Sequence, residues 1–122
     1  MTVTKLHLLS VPVSDQARAK DFYVGVLGMK QVDGDGSGAW IEVQPRDGET
    51  SITFVTWFDT MPAGSLRGLV LRTDDLEADI SALRQGGVDV SDMKLAPWGT
   101  YVEFNDPDGN GLVLVDTART AE

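Results

Sequence analysis

The stretch that decides the fold is TYVEFNDPDGNGLVLV, residues 100–115. Two extended segments, alternating on a two-residue period, flank an Asp-Pro-Asp-Gly-Asn turn, which is the grammar of a β-hairpin. A second stretch, AWIEVQPRDGETSITFV at residues 39–55, runs in the same order 61 residues earlier. Trp40 matches Tyr101, Glu42 matches Glu103, and Asp47-Gly48 matches Asp108-Gly109. Both read as hairpins whose turn residues tolerate positive φ.

Working outward, the segments ahead of the hairpins match as well. LLSVPVSDQARAKDFYVGVLGM is a short apolar strand, a Ser-Asp cap and a helical pattern closed by Gly28. GLVLRTDDLEADISALRQGGV has the same order, with Asp75 and Gly87 in the places of Asp15 and Gly28. Ala19, Phe22, Tyr23 and Val26 form one helical stripe, and Leu76, Ile80 and Leu83 form the other. Asp74 with Glu77 resembles a capping box, and Gly86-Gly87 is a stop signal. The chain therefore reads as an α+β fold of two repeated βαβββ modules, residues 1–60 and 66–117, within a single domain. FDTMPAGSLRG (58–68) is the connector. A ferredoxin-like arrangement would place the second helix after only three strands. Here Lys30–Asp33, Ala39–Pro45 and Thr50–Trp57 all read as extended between the helices, after a first strand.

Bulk composition narrows the function. The 42% apolar and 24% charged fractions are those of a globular chain. With no cysteine, thiolate catalysis and Cys-ligated zinc are excluded, and a reducing cytoplasm is compatible. The net charge of −9 repels nucleic acid and anionic membrane, leaving a neutral or cationic small molecule as the expected partner. The N-terminus MTVTKLHLLSVPV reads as neither signal peptide nor membrane span. DGDGSG (33–38) lacks the lysine and following helix of a phosphate loop and reads as a hairpin tip. No serine sits in a nucleophile elbow.

VPVSDQARAKDFYVGVLGM, VLRTDDLEADISALRQGGV and PWGTYVEFNDPDGNGLVLV, with the first hairpin, together resemble the vicinal oxygen chelate superfamily: glyoxalase I, extradiol dioxygenases and bleomycin-resistance proteins. That resemblance implies strands curved into a cup, helices on its convex side, and often a homodimer. In the metal enzymes of the family, one His or Glu ligand comes from the first and the last strand of each module. Carried onto this chain, those four positions are Leu8, Gly68, Val113 and Ile52 or Thr53, none an ordinary divalent-cation ligand. His7, the sole histidine, neighbours one of them, but strand alternation turns it to the opposite face.

The same alternation predicts that Ile41, Val43, Val102 and Phe104 pack against the helices. Ser10, Trp40, Glu42, Tyr101, Glu103 and Val113 then face the cup, with Trp57 from the fourth strand, Arg72 from the fifth and Trp98 from the loop APWGT at its mouth. These are the candidate ligand-binding residues: mostly apolar walls with a few polar groups. Glu42 and Glu103 are also candidate general acid/base groups, or partners of Arg72. The expected function is binding of a small aromatic, neutral or cationic molecule without a metal cofactor, as in antibiotic-sequestering relatives. A metal-dependent lyase, isomerase or dioxygenase, or a metal-free enzyme using Glu42 or Glu103 as base, are the alternatives.

Overall fold

The computed structural model describes residues 1–33 and 40–119, and side chains throughout that range except that of Asp33. The expected hairpin tip at 33–38 lies almost wholly outside it. Contacts divide the chain into two units, Met1–Ser65 and Leu66–Glu122. Each unit is a βαβββ module with a four-stranded mixed sheet.

In the first unit the elements are β1 (Leu8–Pro12), α1 (Gln16–Lys20), β2 (Lys30–Asp33), β3 (Glu42–Gln44) and β4 (Ser51–Val55), in sheet order β1-β4-β3-β2. β1 lies parallel to β4, so the chain crosses over through α1, while β2, β3 and β4 form antiparallel neighbours. Asp15 caps α1: its carboxylate accepts from the Arg18 backbone N–H at 3.1 Å, satisfying one of the orphan donors of the first turn. α1 runs directly into a π-helical turn, Asp21–Val26. This widening alters the predicted stripe. Ala19, Phe22 and Tyr23 are buried as expected, whereas Val26 is exposed and Met29 is buried beyond the helix end. The extra residue in the turn rotates Val26 off the stripe that a 3.6-residue period assigns to it. Tyr23 packs on Phe54 of β4, ring centroids 5.0 Å apart, which identifies the helix-covered face of the sheet. Val11, Ile41, Val43, Ile52 and Phe54 fill that core. Burying each such side chain contributes about 1.5–3 kcal/mol.

The second unit comprises β5 (Leu69–Arg72), α2 (Leu76–Gln85), β6 (Lys94–Ala96), β7 (Gly99–Asn105) and β8 (Gly111–Asp116), in sheet order β5-β8-β7-β6. Leu76, Ile80 and Leu83 of α2 are buried, as are Val102, Phe104, Leu112 and Leu114 of the sheet. The cap differs from the expected box. Asp75, not Asp74, is the N-cap and accepts from the Ala78 N–H, so Asp74 and Glu77 are one residue out of register for that motif. Asp75 is thus the structural counterpart of Asp15. The helix ends in a Schellman motif: Val88 N–H donates to Leu83 O, Gly87 N–H donates to Arg84 O, and Gly87 has φ +85°. Gly28, at φ +75°, ends the first helix in the same left-handed conformation.

Three strand expectations need correction. β3 and β4 are shorter than Ala39–Pro45 and Thr50–Trp57, because Trp40, Ile41, Pro45, Thr50, Thr56 and Trp57 make no ladder pairs; Ala39 lies outside the described residues. Gly48 does not use positive φ, since Gly48 N–H closes its turn directly onto Pro45 O at 3.1 Å. In the second hairpin Gly109 does, at φ +95°. There Asp106 accepts from the Asp108 N–H, the Asn110 N–H and the Asn110 side-chain amide, all at 2.8–2.9 Å. Among the described residues no helix is long and apolar enough to cross a membrane.

Candidate functional site

Register places Ser10, Glu42, Arg72, Tyr101, Glu103 and Val113 on the sheet face turned away from the helix in each unit. In the first, Ser10 pairs with Thr53 and Thr53 with Glu42, so the three form one row across β1, β4 and β3. Trp40, just ahead of β3, donates its indole N–H to Glu42 Oε1 at 3.3 Å. Trp40 is 41% exposed and Glu42 half-buried, while the neighbouring Ile41 and Val43 are buried, which is the alternation the sequence carries. Thr53 is buried and donates its hydroxyl to Ile41 O at 2.9 Å.

In the second unit Val70, Val113 and Glu103 form one row, and Arg72, Val115, Tyr101 and Lys94 the next. Trp98, in the β6–β7 turn, stacks on Tyr101 with centroids 4.7 Å apart and planes 24° from parallel. Lys94 Nζ lies 5.9 Å from the Tyr101 centroid and 3.0 Å from Glu103 Oε1. The hydrogen bond to Glu103, then its charge, raises the Lys94 pKa above the ordinary lysine value. Ser91 supports this corner by accepting the Glu103 backbone N–H at 2.9 Å.

Several placements differ from the sequence reading. Trp57 lies beyond the end of β4, exposed, its ring 6.1 Å from that of Phe58, so no sheet alternation assigns it to the face with Glu42. Arg72 pairs with Asp74 at 3.8 Å at the surface, while Glu103 of the same unit pairs with Lys94. Val115 is buried under Gly99, where even a Cβ would fall 2.5 Å from it, leaving Val113 as the half-buried wall of that strand. Lys94 was missed by sequence reasoning. Its signal was available only through pairing, since KLAPWGTYVE becomes a hairpin when Lys94 is set opposite Tyr101.

A family model described as the Glyoxalase/Bleomycin resistance protein/Dioxygenase superfamily matches residues 5–114. The chain belongs to this superfamily. Among solved structures, it is similar to TnmS3, an antibiotic binding protein from Streptomyces sp. CB03234. The two are 46% identical, with 96% of this chain and 98% of that one covered and a TM-score of 0.89. A glyoxalase/bleomycin resistance protein from the same Streptomyces strain is 47% identical over 92% of this chain and all of its own, with a TM-score of 0.83. Protein YetH of Bacillus subtilis is 28% identical, with 92% of this chain and 98% of its own covered.

Many enzymes of the superfamily hold a divalent metal, and three of the four positions expected to carry its ligands have no donor side chain here. Leu8 and Val113 carry hydrocarbon side chains, and Gly68, at φ +77°, has none. Of the alternatives Ile52 and Thr53, register sets Thr53 on the face with Glu42, where its hydroxyl donates to Ile41 O. His7 precedes β1 and is exposed, its carbonyl accepting the Ser51 N–H at 3.2 Å. Among the described residues no group of three or more His, Asp and Glu side chains stands together.

Proposed function

We propose that the protein binds a small aromatic molecule, neutral or cationic, and sequesters it without chemical change and without a metal. The observation that carries this reading is the 46% identity, over 96% of the chain, to an antibiotic binding protein. The chemistry of the sheet faces supports it. Trp98 is 53% exposed and extends a ring stack begun by Tyr101. Such a platform suits an aromatic guest, since offset stacking contributes about 0.5–1.5 kcal/mol beyond the area buried. The candidate contacts are Trp98, Tyr101, Glu103 and Val113 on the second unit's face, and Ser10, Trp40 and Glu42 on the first unit's. A cytoplasmic homodimer is the proposed form of the protein.

The test is titration of the purified protein with a panel of aromatic antibiotics, followed by tryptophan fluorescence. Saturable quenching is expected, unchanged by a chelator, with the ligand recovered intact by mass spectrometry. Trp98→Ala should weaken binding by about tenfold, in proportion to the stacking energy removed. A ligand recovered in altered form would overturn the reading in favour of an enzyme. Quenching abolished by chelation would replace it with a metal-dependent site.

A further inference from the structure

The two units carry the same carboxylate-and-aromatic pair, and one of them shows what such a pair holds. On the second face, Tyr101 and Glu103 sit two residues apart on β7, and an ammonium group occupies the space they share. Lys94 Nζ is 3.0 Å from Glu103 Oε1 and 5.9 Å from the Tyr101 ring centroid. On the first face the matching residues are Trp40 and Glu42. Their ring is larger and electron-richer, and indole is the strongest of the aromatic side chains toward cations.

Among the described residues of the first unit no ammonium pairs with Glu42. Its edge strand β2 sets Asp33 opposite Glu42. Lys30 stands further along, opposite Gln44. Among the described residues Glu42 has no ion pair; its bond from the Trp40 indole occupies one oxygen and leaves the other available. Glu103 is paired with Lys94, whereas Glu42 has no such partner among the described residues, in a chain of net charge −9.

Resting on the ligand-binding reading above, we propose that Glu42 and Trp40 form a subsite for a protonated amine. The aromatic guest would present that group as Lys94 presents its own to Glu103 and Tyr101. Glu42 then sets specificity for cationic over neutral guests, and Glu103 does not.

The experiment follows the three indole ¹⁵N–H resonances, one per tryptophan, during titration with benzylammonium and with benzyl alcohol, probes of one shape and different charge. Benzylammonium is expected to bind more tightly and to move the Trp40 resonance, which reports the bond to Glu42. Glu42→Gln should weaken benzylammonium by about threefold, the loss of an exposed carboxylate pair with the Trp40 ring retained, and leave benzyl alcohol unaffected. Asp47→Asn, the same charge change at an exposed turn, controls for the overall field, and Glu103→Gln should weaken benzylammonium less than Glu42→Gln does. If the two probes bind alike and Glu42→Gln changes neither, the subsite is overturned while aromatic binding stands. A larger loss in Glu103→Gln or in Asp47→Asn also overturns it. If neither probe moves any indole resonance, both the subsite and the aromatic-binding reading fall.

Discussion

The two hairpins, residues 39–55 and 100–115, are written in one grammar and built by different means. In the second, the Asp106 carboxylate gathers two backbone N–H groups and the buried Asn110 amide. Asn110 in turn accepts the Leu66 N–H at 3.1 Å, tying the turn to the chain entering β5. In the first, Gly48 N–H donates to Pro45 O and the Gln44 amide donates to Glu49 O and Ser51 Oγ, while Asp47 points to solvent, 4.0 Å from Arg46. Matching residue types therefore do not imply matching load. What the units share is backbone punctuation at their helix ends; what separates them is where polar groups are buried.

The largest test of that contrast is Asp106→Ala against Asp47→Ala. Removing Asp106 leaves buried donors unpaired and should cost about 3 kcal/mol, whereas the exposed Asp47 should cost less than about 0.5 kcal/mol. Urea denaturation of both variants measures the difference. Comparable losses would mean that the first turn carries buried polar load after all. Shared features should behave alike. Gly28→Ala and Gly87→Ala each force a Cβ into a left-handed conformation with open space around it, and each should cost about 1 kcal/mol. Asp15→Ala and Asp75→Ala, which each delete one cap hydrogen bond, should cost about 1 kcal/mol or slightly less. A clear inequality within either pair would show that the repeat is one of pattern and not of energetics.

Much of this was legible in the sequence, for identifiable reasons. The hairpins, the helix stops and the alternation of Ile41 and Val43 against Trp40 and Glu42 follow from period and turn chemistry, which are local. The displaced Val26 was not legible, because a π-helical turn has no signature in a stripe read at 3.6 residues per turn. The cap was misplaced from Asp75 to Asp74 because two adjacent aspartates satisfy the same pattern and only backbone geometry chooses between them. Trp57 was carried inward by extending a strand two residues past its last ladder pair. Lys94 was invisible for the opposite reason. It becomes a neighbour of Glu103 and Tyr101 only once β6 is folded onto β7, a pairing that no local pattern announces.

The smallest expected effect concerns that lysine, and it separates the two faces by charge. The Lys94–Glu103 pair is half-exposed, so its contribution to stability is slight and screened by salt. Its sign is nevertheless fixed. Glu103 raises the Lys94 pKa in the folded chain, so the folded state holds that proton more tightly than the unfolded state. The pair's stabilisation is therefore fully present below the ordinary lysine value and is lost as pH rises through the raised one. Lys94→Met should flatten the alkaline limb of the stability–pH curve without moving its neutral region, and added salt should reduce the wild-type slope toward that of the variant. The substitution also takes the cation away from Tyr101 and leaves Glu103 charged, giving the second face the pairing that Trp40 and Glu42 present on the first. In that variant benzylammonium should gain affinity at the second face, read as a shift of the Trp98 indole resonance. If it gains none, the likeness between the two carboxylate–aromatic pairs is one of sequence alone.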